Sequence, residues 1–211
     1  MGYKTFVSMN IAIIGVSQIA EQYAMAFAGA GHEVFMASKE GDKKCINPLL
    51  QSLDGINYCS IEEAADIADL VIIATSPKDV REVSYWLGDV RRKVIIDATS
   101  NVFAGIDEQV STVCAIKAIT GSPHIVKAFH TKGYEQLMKP LFNGAHVELI
   151  IAGDSKKAKE ITKIMALELG ISRCYDFGAG DVIPLFNSMT NCLRELKKNA
   201  PAFKPQDVVK Y

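Results

Sequence analysis

Gly15-Val-Ser17-Gln-Ile-Ala20 lies between the apolar run Ile11-Ala-Ile-Ile14 and a stretch of helix formers beginning at Gln18. A glycine at such a corner permits a tight turn. The N-terminus of the helix that follows offers unpaired amides and a positive dipole end, which together attract phosphate. The dinucleotide fingerprint asks for a tight turn at its first position, close backbone approach at its second and a small helix-packing residue at its third. Gly15 and Ala20 meet the first and third demands. Ser17 stands at the second, where its Cβ takes up space and its hydroxyl offers a hydrogen bond to a phosphate oxygen. The competing reading is a bare strand–turn–helix corner, since a single glycine before a helix is common.

A second group with chemical meaning follows about 20 residues on, where a cofactor with a bare ribose usually meets an acid. Here the residues are Ala37-Ser38-Lys39. A hydroxyl followed by a cation does not accept ribose hydrogen bonds as a carboxylate does, but it suits a 2′-phosphate through charge-assisted bonds. The pair therefore favours NADP over NAD, with Glu40 partly offsetting the positive charge. In the alternative reading Ser38 caps a helix and Lys39 is solvated.

The elements that must position these groups alternate. Strands are predicted at 11–15, 33–37, 57–59, 70–74, 94–98, 125–128, 146–152 and 173–176. Helices are predicted at 18–30, from Ser76-Pro77-Lys78-Asp79 onward, at 155–169 and at 183–198. At 76–79 the hydroxyl, the proline at the first helical position and the acid read as a helix start. Residues 39–55 read as a short helix and loop. Continuous apolar runs such as Leu70-Val-Ile-Ile-Ala74 fit strands covered on both faces. The fold class is α/β, a doubly wound Rossmann-type, mostly parallel sheet. The expected organisation is a nucleotide-binding domain over 1–178, with a C-terminal helical segment and tail over 179–211.

With 211 residues, 49% of them hydrophobic, the chain has material for one full core. Its 23 basic and 24 acidic residues leave a net charge of −1, which gives no electrostatic reason to bind nucleic acid or an anionic membrane. Its opening residues lack the apolar stretch of a signal peptide, and no run is long enough for a membrane span, so a cytoplasmic location is expected. The cysteines Cys45, Cys59, Cys114, Cys174 and Cys192 are widely spaced and read as reduced, mostly buried thiols. His32, His124 and His146 lack ligand spacing with other donors, so no metal site is expected. Lys156, Lys157, Lys159 and Lys163 read as a solvated helix face.

Taken together these residues resemble the family of deazaflavin-coenzyme-dependent NADP oxidoreductases, and the related cytosolic reductase domains of six-transmembrane metalloreductases. Gly31-His-Glu-Val34 with Ser38-Lys39, Ala74-Thr-Ser-Pro77, Asp97-Ala-Thr-Ser-Asn101, Val126-Lys-Ala-Phe129 and Ile151-Ala-Gly-Asp154 carry the likeness. It implies an NADP cofactor with its pyrophosphate on the amides around Val16, Ser17, Gln18 and Ile19. Ala74, Thr75, Ser76 and Pro77 would lie near the nicotinamide ribose, and Ala98 and Thr99 near the carboxamide. For Thr75-Ser76-Pro77, helix capping alone is the competing account.

Two residues depart from the family pattern: Ser17 replaces a glycine, and His130 stands where asparagine is usual, facing the nicotinamide. His130 is the one candidate catalytic side chain, as a proton donor or carboxamide contact. The implied activity is hydride transfer to a flavin-like, deazaflavin or other small acceptor, in a homodimer. Two alternatives are a non-catalytic NADP-binding sensor or subunit, and a reductase of imines or β-hydroxy acids.

Overall fold

The computed structural model describes residues 8–39, 54–99, 111–128, 141–142, 145–146, 148–171 and 173–180. Six parallel strands form the main sheet: β1 (Asn10–Ile14), β2 (Glu33–Ala37), β3 (Ile56–Tyr58), β4 (Leu70–Ile73), β5 (Val94–Asp97) and β6 (Ile125–Lys127). Their spatial order is β3-β2-β1-β4-β5-β6, so the chain reverses direction across the sheet between β1 and β4. That reversal is the switch point at which open α/β sheets bind ligands beyond their carboxyl ends.

Alternation along each strand builds two cores. Ile11, Ile13, Leu70, Ile72, Val94 and Ile96 pack on one face against Tyr23 and Phe27 of α1 (Gln18–Gly29) and Met165 of α5 (Lys156–Glu168). Ala12, Ile14, Val71, Ile73 and Ile95 pack on the other face. There they meet α2 (Ile61–Ile67), α3 (Val80–Trp86) and α4 (Thr112–Thr120). Both faces are dry, which is why these strands read as continuous apolar runs.

An antiparallel bridge from Lys127 to Ala152 joins β6 to the end of β9 (Glu148–Ile151), which pairs in parallel with β10 (Arg173–Asp176). The expected strand at 146–152 is in fact two: β9, and a separate antiparallel hairpin of β7 (Leu141–Phe142) with β8 (Ala145–His146). Ser76 does not cap a helix. Residues 76–79 form a turn closed by the Asp79 amide on the Ser76 carbonyl (3.0 Å), and α3 begins at Val80. The lysine face of α5 is only partly solvated, because Lys159 is mostly covered and holds Asp176 (2.7 Å) and the Gly178 carbonyl (2.8 Å). Among the described cysteines none is buried: Cys59 and Cys174 are half-buried and Cys114 is exposed. Residues 40–53 of the expected short helix and loop, and the expected helix at 183–198, with Cys45 and Cys192, lie outside the described residues.

Candidate functional site

The carboxyl ends of β1, β4 and β5 lie side by side, and their backbones are cross-linked there. The Ala74 amide donates to the Ile14 carbonyl (2.8 Å), the Ala98 amide to Ile73 (2.9 Å) and the Gly15 amide to Ala37 of β2 (2.8 Å). Gly15 is dictated by this crowding. Its φ is +140°, and a Cβ there would stand 2.5 Å from the Ala74 carbonyl oxygen. Only glycine lets β1 turn so close to β4.

Ser17 caps α1, its Oγ accepting from the Ala20 amide (3.3 Å) and donating to the Ala74 carbonyl (3.3 Å). The hydroxyl expected on a phosphate thus spends its proton on the neighbouring strand end. The first-turn amides of Gln18 and Ile19 have no intrahelical acceptor and remain available to an anion. Val16 is half-buried beside them, and Gln18 is exposed.

Ser38 and Lys39 line a cavity of about 210 Å³ at the carboxyl ends of β2 and β3, together with Ser60, Ile61, Glu62 and Trp86. Ser60 shapes one wall as the N-cap of α2, in a reciprocal capping box with Glu63. Two hydrogen bonds from Ser60 hold the Glu63 carboxyl below its usual range. Lys39 is not free in solvent: its ammonium pairs with Glu82 and with Asp79 at 3.4 Å. The hydrogen bond to Glu82 is the main cause that raises its pKa above the ordinary lysine value. Glu40 lies outside the described residues, so the local offsetting charge shown is that of α3.

Thr75 and Pro77 are half-buried and Ser76 is exposed at the mouth of the same rim; the Lys78 amide reaches the Ser76 hydroxyl at 3.4 Å. Ala98 is buried, and Thr99 turns inward, its hydroxyl on Asp97 Oδ1 at 2.6 Å. Asp97 also takes the Thr99 amide (3.0 Å), so it orders the loop that leaves β5. His130 lies outside the described residues. Among the described residues no group of three or more His, Cys, Asp or Glu could hold a metal, and no helix is long and apolar enough to cross a membrane.

Sequence reasoning missed Lys127, which is wholly buried with its ammonium on Asp97 Oδ2 (3.0 Å). Burial pulls its pKa below the ordinary lysine value, and Asp97 opposes the fall. A cation inside the apolar run Ile125-Val-Lys-Ala128 was the signal. The wall formed by Ser60, Ile61, Glu62 and Trp86 was also missed, and the S-x-x-E box at Ser60–Glu63 was its legible trace.

Residues 10–101 match the profile of the family described as NADP oxidoreductase, coenzyme F420-dependent. The match covers a little under half of the chain. The matched stretch spans β1 to β5 and contains every rim residue named above except Lys127. A search of curated proteins returned no match.

Solved structures share the fold. A protein from Arthrobacter sp. FB24 described as an F420-dependent NADP reductase superposes with a TM-score of 0.79 at 19% identity, over 90% of this chain and 94% of its own. The 3-hydroxyisobutyrate dehydrogenase of Mycobacterium tuberculosis gives 0.67 at 16% identity, over 92% of this chain and 62% of its own. An imine reductase from a Pseudomonas species gives 0.66 at 14% identity, over 92% of this chain and 66% of its own. At these identities the likeness is one of fold. The chain spans less than two thirds of the dehydrogenase and about two thirds of the imine reductase.

Proposed function

We propose that this oxidoreductase binds NADP(H) across the carboxyl rim and passes hydride between the nicotinamide and a flavin-like, deazaflavin or other small acceptor. The observation that carries the reading is the cavity beside β2, where Ser38 and Lys39 stand in place of a carboxylate. Three features of the chain fit such a cofactor. At Gly15 the missing Cβ lets the strand-to-helix turn pass close against the Ala74 carbonyl. The first amides of α1 offer donors to a pyrophosphate. Ser38 and Lys39 offer a hydroxyl and an ammonium to a 2′-phosphate, once Lys39 exchanges Asp79 and Glu82 for that phosphate.

Bound NADPH supplies the hydride. The chain's part is alignment: Ala74 to Pro77 and Ala98 would flank the nicotinamide half, and the crowded strand ends keep that floor rigid. Transfer of hydride to a planar ring asks for stacked rings and excluded water rather than a dedicated acid–base pair. His130 is carried in this proposal as the candidate proton donor or carboxamide contact on the nicotinamide side.

The test is an acceptor panel. Purified chain is mixed with NADPH and separately with a flavin or a deazaflavin, and loss of reduced-nicotinamide absorbance is followed. Turnover with either acceptor supports the proposal. Tight NADPH binding with no turnover on either favours a sensor or subunit, and no binding refutes both.

A further inference from the structure

We infer that Lys127 is a positioning residue for the nicotinamide half of the cofactor, acting through the peptide between Ala98 and Thr99; this rests on the cofactor reading above. Lys127 ends β6 directly opposite Asp97 of β5, and the two side chains are 1% and 0% exposed. The ammonium donates to Asp97 Oδ2 (3.0 Å), to the Thr99 carbonyl (2.7 Å) and to Thr99 Oγ1 (2.8 Å), with Thr112 Oγ1 farther off at 3.3 Å. The hydroxyls of Thr99 and Thr112 both donate to the Asp97 carboxylate. Every proton of the ammonium has an acceptor, and both carboxylate oxygens are used twice. Such complete satisfaction is what makes a buried ion pair tolerable.

The consequence for the rim follows from peptide planarity. In a trans peptide the carbonyl and the amide of the next residue point in opposite directions. Asp97 Oδ1 draws the Thr99 amide inward (3.0 Å), so the Ala98 carbonyl must point away from Asp97. The Ala98 amide is fixed on Ile73 of β4, and the Thr99 carbonyl on Lys127. Among the described residues the Ala98 carbonyl accepts no hydrogen bond, at the place where β4 and β5 part. Directed away from the Asp97 network, it is an acceptor suited to the amide protons of a carboxamide. The Oδ1 acceptor of residue 97 holds that orientation, and Lys127 fixes the Asp97 side chain in place through Oδ2. Without Lys127 the buried Asp97 side chain loses its ion-pair partner, and the Thr99 carbonyl loses its anchor.

Two pairs of substitutions separate positioning from bulk stability. Lys127→Met with Asp97→Leu removes both charges and the anchor, a kind of exchange that cores often tolerate. Lys127→Met with Asp97→Asn removes the charges but keeps an Oδ1 acceptor for the Thr99 amide. Each is titrated with NADPH and with adenosine 2′,5′-bisphosphate, which has no nicotinamide half. The first pair should weaken NADPH about tenfold, the worth of one good hydrogen bond. It should leave the bisphosphate within about twofold, and the second pair should recover most of the NADPH affinity. Lys127→Met alone, read with the same two ligands, carries the contrast if the leucine pair fails to fold. Parallel weakening of both ligands, or no weakening of either, overturns the inference. An unsubstituted chain that binds neither ligand overturns the cofactor reading itself, and the inference with it.

Discussion

Replacing Gly15 by alanine perturbs the fold and the candidate site at one atom. The added methyl would stand 2.5 Å from the Ala74 carbonyl oxygen and 2.8 Å from its carbon, both backbone, at a φ of +140°. A side chain in positive-φ backbone costs roughly 1–2 kcal/mol, and overpacking against groups that cannot rotate away adds about 1–3 kcal/mol. The sum, about 2–5 kcal/mol, lowers Tm by roughly 5–15 °C in a domain of this size. Gly31 is the control. Its φ is +96°, and a Cβ there meets nothing within 4 Å, so Gly31→Ala carries the conformational cost alone. Thermal unfolding of both variants, followed by NADPH titration of whichever remains folded, isolates the overlap. Gly15→Ala should fall several degrees further than Gly31→Ala and lose NADPH binding, because β1 and β4 must separate where the pyrophosphate is expected. Equal melting temperatures, with NADPH affinity intact, would refute the argument that this close approach shapes the site.

Ser17 divides capping from ligand binding. Ser17→Ala should cost about 1 kcal/mol of stability through the lost cap, and Ser17→Gly only a few tenths. NADPH affinity should be unchanged or improved in Ser17→Gly, and a severe loss in a calorimetric titration would show that the hydroxyl is a required phosphate ligand. Tyr58 carries a pH prediction. Burial, aided by Glu21, pushes its phenol from the ordinary 10.0 up to about 12, and its buried hydroxyl has no partner among the described residues. The folded state therefore favours the protonated phenol. That contribution is whole below pH 10 and is lost as pH climbs toward about 12, where the ionised phenol of the unfolded chain is favoured. Tyr58→Phe should remove this loss from an alkaline unfolding series and leave Tm at neutral pH unchanged or higher. A large fall in Tm would show a hydrogen bond that the present geometry lacks.

Much of the sheet was legible because its information is local. Glu33–Ala37 and Arg173–Asp176 begin and end as the apolar patterns predict, and the other main strands shift by a residue at one end or at both. Helix α4 escaped because Thr112-Val-Cys-Ala-Ile-Lys-Ala-Ile-Thr120 is rich in β-branched residues, which favour strands when read alone. Its burial against β5 and β6 decides the matter, and burial is not a local signal. The same holds for the site. Gly15 and Ser38-Lys39 could be read from position along the chain. The partners of Lys39 on α3 and the Asp97–Lys127 pair lie 40 and 30 residues away, and only the order of the strands brings them together. A hydroxyl such as that of Ser17 has several acceptors within reach, and sequence does not say which one wins.

The central claim is that the cavity beside β2 selects an adenosine bearing a 2′-phosphate. Calorimetric titration of NADPH and NADH into the unsubstituted chain, repeated with Ser38→Ala, Lys39→Ala together, tests it most directly. NADPH should bind more tightly than NADH, and the double substitution should weaken NADPH far more than NADH. Equal affinities for the two nucleotides, or equal losses on substitution, would contradict it.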